Sequence, residues 1–171
     1  MKKFLRRLFI ILLVILVIIQ FIRPKKNISP EKGPNDISTK YPIPDSLRQI
    51  LSVACYDCHS NNTRYPWYSK IQPVYWWLNS HIQDGKNALN FSEFTSYRIR
   101  KQFISFKDIS KLVKDDEMPL ASYLWIHTDA RFSDVQKNML TTWAMAQHDS
   151  IQAKYPADSL AKNKFSESEP D

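Results

Sequence analysis

A chain of 171 residues is long enough for one domain with a real core and too short for two comfortable ones. Only two glycines, Gly33 and Gly85, stand against eight Tyr, nine Phe and five Trp, which disfavours glycine-rich phosphate loops and strand-and-turn architectures and points to an all-α domain. The net charge of +7 gives no reason to expect nucleic acid as a partner: eight of the 24 Lys and Arg but one of the 17 acids lie within residues 1–32, leaving sixteen of each sign beyond.

Those N-terminal cations flank the apolar run Leu8–Ile22, interrupted only by Gln20. As helix the run measures about 22 Å, short of a full hydrocarbon core by an amount that snorkelling by Arg6, Arg7 and Arg23 would offset. Residues 1–22 are therefore expected to form a single N-terminal transmembrane signal-anchor. A cleaved signal peptide is the alternative, but no alanine precedes Ala54 and the run exits into Arg23-Pro24-Lys25-Lys26. Four basic residues on each side leave the orientation open.

Residues 23–43 are polar and rich in proline (Pro24, Pro30, Pro34, Pro42), and read as an extended, unpacked tether. A helical domain is expected over residues 44–150. Its first helix begins at Asp45 and aligns Leu47, Ile50, Leu51 and Ala54. A second starts near Pro73 and aligns Val74, Trp77, Leu78, His81 and Ile82 before Gly85. The third runs from about Ser96 to Lys114 with Ile99, Phe103, Phe106, Ile109 and Val113 as its stripe. The fourth follows Ser133, where Ser133-x-x-Gln136 has the pattern of a capping box, and is expected to bury Val135, Met139, Trp143 and Ala146. Residues 151–171 lack periodicity, end in Ser-Glu-Ser-Glu-Pro-Asp, and read as a disordered tail.

At the end of the first helix stands Cys55-Tyr56-Asp57-Cys58-His59. Residues at i, i+3 and i+4 share one face of a helical turn, so both sulfurs and the imidazole point together. Two thiols that add across haem vinyl groups, beside a histidine that ligates iron, are the chemistry of one covalently attached haem c. A structural zinc site needs four ligands, yet Cys55 and Cys58 are the only cysteines in the chain. A thioredoxin-like dithiol needs a βαβ setting that is not visible.

The stretch from Cys55 through His59, Ser60-Asn61-Asn62-Thr63-Arg64-Tyr65-Pro66-Trp67-Tyr68, then Pro73-Val74-Tyr75-Trp76, Asn90-Phe91-Ser92, Glu117-Met118-Pro119-Leu120-x-x-Tyr123 and Trp143, resembles the haem-binding domain family of Bacteroidetes-type bacteria. The resemblance covers about residues 44–146. It implies a fold similar to class I cytochromes c, with a haem-proximal first helix, a distal methionine loop and a packed C-terminal helix. The chain departs from that pattern in having no glycine in its first and last helices. The resemblance also implies haem attachment outside the bacterial cytoplasm, hence a single-pass inner-membrane protein with its soluble domain in the periplasm.

Met118 is the first choice for the sixth iron ligand, because it lies in a loop that Pro119 keeps from being helical and matches the family's distal methionine. His81 is the rival; a bis-His haem would have the lower potential. The expected cofactor-binding set is Cys55, Cys58, His59 and Met118, with His59 and Met118 on the metal and no catalytic residue. Arg64, Tyr65, Trp67 and Tyr68 are read either as haem-lining and propionate-binding residues or as ordinary packing. A His/Met haem closed to substrate suits one-electron transfer between redox partner proteins at the membrane. A haem-based redox or gas sensor, and a peroxidase-like enzyme with an open sixth site, remain as alternatives.

Overall fold

The computed structural model describes residues 1–29 and 32–161. Every element among them is helical, as the composition and periodicity require: α1 (Lys2–Ile19), α2 (Asp45–Ala54), α3 (Tyr56–His59), α4 (Val74–Ala88), α5 (Ile99–Lys114), α6 (Ala121–Leu124), α7 (Asp134–Lys154) and α8 (Ala157–Leu160), with short 3-10 turns between them.

Helices α5 and α7 pack along each other and form the base of the domain. Helix α5 buries Gln102, Phe106, Ile109 and Val113 at helical spacing. Helix α7 starts at the expected capping box, in which Ser133 and Gln136 satisfy each other's backbone N–H groups. Its buried face is Leu140, Trp143, Ala144 and Ile151, whereas Val135, Met139 and Ala146, expected inside, are exposed. Small side chains on the two buried faces (Ser105, Ser110 and Ala144) allow close packing without glycine. Helix α4 is also turned from its expected face. Tyr75, Leu78 and Ile82 are buried, while Val74 and Trp77 face outward.

The segment expected as an unpacked tether enters the core over its second half. Ile37, Tyr41 and Ile43 are buried, and burying each isoleucine contributes about 1.5–3 kcal/mol. Tyr41 packs edge-on against Phe94 and Phe106, and its hydroxyl donates to Gln102 Oε1 at 2.6 Å. Trp143 Nε1 donates to the Pro42 carbonyl. Widely spaced apolar residues between prolines produce no period, so the sequence pattern hides this packing. The same holds beyond Ser150, where Ile151 and Leu160 both reach the core; the rest of the expected tail, residues 162–171, lies outside the described residues.

Helix α1 buries none of its side chains. No helix among the described residues is long and apolar enough to cross a membrane, so the transmembrane expectation for residues 1–22 is not met. The cause lies in α1: Lys2, Lys3, Arg6 and Arg7 occupy its first turns, and the helix ends at Ile19. The remaining apolar part, Leu8–Ile19, spans about 18 Å against a hydrocarbon core of about 30 Å.

Candidate functional site

The Cys55–His59 segment straddles the break between α2 and α3. Cys55 caps α2, its amide donating to the Leu51 carbonyl, and its own carbonyl accepts from the amides of Cys58 and His59. That single turn brings Cys55, Cys58 and His59 onto the walls of two adjoining cavities of about 170 and about 360 Å³. Cys55 lines the first and Cys58 the second, while His59, Ala54, Ala88, Met118 and Pro119 line both. The remaining walls are mostly apolar, among them Leu51, Leu89, Phe91, Ile109, Leu112, Val113 and Leu140.

His59 is held by its neighbours. Its Nδ1 lies 2.9 Å from the Leu89 carbonyl oxygen, an acceptor, so Nδ1 carries the proton and Nε2 keeps its lone pair. Burial lowers the pKa of His59, opposed by the carbonyls of Leu89 and Gly85, and the ring stays neutral. Burial pushes the Cys55 thiol up to about 12, helped by Cys58, and the Cys58 thiol up to about 11, helped by Asp57. Both sulfurs are therefore protonated at neutral pH, unlike reactive or metal-binding thiolates.

Asp57 is buried and organises the turn. Its carboxylate accepts from the Arg64 amide (3.0 Å), from Arg64 Nη2 (3.3 Å) and from the Tyr123 hydroxyl (2.9 Å). Tyr123 lies on α6, directly after the methionine loop, and also donates to the Val53 carbonyl at 3.2 Å. The loop is tied at its other end by the amides of Glu117 and Met118, which share the Leu112 carbonyl, and by Asp116, which pairs with Lys137 at 2.5 Å. Asp116 has φ of 59°, a left-handed conformation that Asp tolerates better than most residues.

Helix α4 closes the site from the other side. A methyl group on Gly85 would lie 2.8 Å from the Cys58 carbonyl oxygen, so glycine is what allows α4 to lie against the motif. His81 lines the second cavity only, its Nδ1 donating to the Trp77 carbonyl at 2.8 Å and its ring tilted onto Trp77. Arg64, Tyr65, Trp67 and Tyr68 line neither cavity. Arg64 serves Asp57, Tyr65 receives the Asn27 amide, and Tyr68 bonds His127. His148 stacks on Phe103 within the domain, at 4.0 Å.

Asp57, Gly85, Leu89 and Tyr123 were not singled out from the sequence. Gly85, one of two glycines in the chain, is expected to follow the second helix, whereas α4 runs through it to Ala88; Tyr123 appears only as part of the family stretch.

Two protonated thiols, a neutral imidazole with a free Nε2, a thioether and apolar walls meet at one place, and this donor set fits a haem. Among the described residues no group of three or more His, Cys, Asp or Glu is arranged to hold a bare metal ion. The fold and site thus define a helical haem protein. The chain belongs to the haem-binding domain family, whose model matches residues 14–146. Comparison with curated proteins and with solved structures gave no match.

Proposed function

We propose that this chain is a membrane-attached monohaem c-type cytochrome that carries single electrons between redox partner proteins at the periplasmic face of a bacterial inner membrane. The observation that carries the reading is the meeting of Cys55, Cys58 and His59 with Met118 on the walls of one apolar site.

Cys55 and Cys58 would hold a haem covalently, each offering its thiol sulfur for attachment. His59 would ligate the iron through Nε2, kept in that tautomer and orientation by the Leu89 carbonyl. Met118 would offer its thioether sulfur to the iron from a loop pinned at Leu112, Asp116 and Tyr123. A haem held by His59 and Met118 would supply a reversible one-electron couple. The apolar walls keep water away and, with methionine sulfur, favour a raised potential.

Attachment to the membrane is read from α1. The side chains from Leu8 to Ile18 are 43–65 % exposed on every side of the helix. A stretch that is apolar all round over Leu8–Ile18 and buries no side chain against protein is suited to lipid.

Expression of the full chain with a c-type maturation system tests the reading. Haem should survive acid–acetone extraction, titrate as one reversible electron, and fail to bind carbon monoxide when reduced. Haem lost on extraction would overturn covalent attachment, and rapid carbon monoxide binding would overturn the closed electron carrier in favour of a sensor or peroxidase.

A further inference from the structure

We propose that the domain seats directly on the lipid surface through the face carrying Trp67, Ile71, Val74 and Trp77, a docking that rests on the reading of α1 as the lipid-embedded element. The end of α1 is not a free swivel. The Gln20 side-chain amide pairs reciprocally with the Gln72 backbone, accepting from its N–H at 2.9 Å and donating to its carbonyl at 3.2 Å. Gln72 Nε2 and Trp76 Nε1 both donate to the Ile22 carbonyl, at 2.8 and 2.9 Å. Arg23 Nη2 donates to the Lys70 carbonyl at 2.6 Å, and the Tyr75 hydroxyl donates to the Pro24 carbonyl at 3.0 Å. Gln20, the one polar residue in the apolar run, is thus the residue that clamps the helix to the domain. Wherever lipid takes α1, the Lys70–Trp76 segment must lie at the boundary.

The exposed side chains around that clamp have the chemistry of such a boundary. Trp67 is 69 % exposed, Ile71 and Trp77 48 %, and Val74 37 %, all within eleven consecutive positions. Val74 and Trp77 lie one helical turn apart on the outer face of α4. Tryptophan is suited to the headgroup layer, with an apolar body and a polar N–H. Arg23 and Lys70, at the same place, supply the positive charge that anionic headgroups attract. The partner is therefore a bilayer containing anionic lipid. Helix α4 then fixes the height of the haem site, since Gly85, against the motif, stands about 16 Å along the helix from Val74. The domain does not swing on a flexible tether; partners must reach it at the membrane surface.

The test uses full-length, haem-loaded protein reconstituted into vesicles of phosphatidylcholine and phosphatidylglycerol. Sedimentation of the vesicles reads α1, and hydroxyl-radical footprinting with mass spectrometry reads the face. Trp125, 79 % exposed and remote in sequence from the clamp, serves as the internal reference. Trp67 and Trp77 should be oxidised severalfold more slowly than Trp125 in the pelleted protein. Protein that pellets with all three tryptophans oxidised in proportion to their exposure would overturn the seating, leave the attachment by α1 intact and free the face for a protein partner. Protein that fails to pellet would overturn both.

Discussion

Gly85 of α4 lies so close to Cys58 that an added Cβ would stand 2.8 Å from the Cys58 carbonyl oxygen and 3.1 Å from its Cβ. The near atoms belong to backbone and to the first side-chain carbon, so none can swing away. Alanine gains about 1 kcal/mol of helix propensity over glycine. Overpacking at a rigid contact costs about 1–3 kcal/mol, and the packing term should win. Gly85→Ala is expected to lower the melting temperature and the fraction of chain that acquires covalent haem, read by haem staining of equal protein loads. Full haem loading with an unchanged melting temperature would show that α4 has room to move.

Asp57 carries a second prediction. Replacing it with alanine strands the Arg64 amide and leaves the Tyr123 hydroxyl only the longer bond to the Val53 carbonyl, and should cost about 2–3 kcal/mol in urea denaturation. Asp57→Asn keeps one acceptor and should cost about half as much. Tyr123→Phe removes the hydroxyl shared between Asp57 and the Val53 carbonyl and should cost about 1–1.5 kcal/mol. Equal effects from all three would mean that the carboxylate does not join the motif to the loop after Met118.

Much of this site was legible from residue order, and the reasons are local. The motif needs only one turn of helix to bring Cys55, Cys58 and His59 together, and Met118 is marked as a loop residue by Pro119. What escaped depends on contacts distant in sequence. The Leu89 carbonyl meets His59 thirty residues away, and Tyr123 meets Asp57 sixty-six residues away. The faces of α4 and α7 were misjudged for a related reason. Both helices carry large apolar residues around most of their circumference, so periodicity alone does not separate Trp77 from Leu78, or Met139 from Leu140. Ile37, Tyr41 and Ile43 were hidden by the prolines around them, which mark irregular backbone but say nothing of burial.

The cysteines give a prediction for the haem-free chain. Burial pushes Cys55 from 9.0 to about 12 and Cys58 from 9.0 to about 11. Only the thiolate is alkylated, so at pH 8 both thiols should react with iodoacetamide much more slowly than in the unfolded chain, Cys55 the slower of the two. Timed quenching and peptide mapping would measure the rates. Folded chain reacting as fast as chain in guanidinium would mean that the thiols are not held protonated by the fold.

On the proposed electron-transfer reading, the identity of the sixth ligand decides which kind of carrier the chain is. Met118 and His81 both line the second cavity, but only Met118 also lines the first, with Cys55 and Leu51. Its loop is held by Leu112, Asp116 and Lys137 whether or not the thioether is engaged, so removing sulfur should leave the loop in place. His81 is a real competitor, because its Nδ1–H is committed to the Trp77 carbonyl and its Nε2 keeps a lone pair. The oxidised wild type should show the weak long-wavelength sulfur-to-iron band. Met118→Ala should abolish that band, open the iron to carbon monoxide and lower the potential, since sulfur stabilises the ferrous state. His81→Ala should leave the band unchanged and cost about 1 kcal/mol or less, because the bond it loses is partly exposed. If the wild type lacks the band and His81→Ala alone admits carbon monoxide, the haem is bis-His. Its potential would then fall toward the lower range, and the electron donors it serves would have to be stronger reductants than a His/Met haem requires.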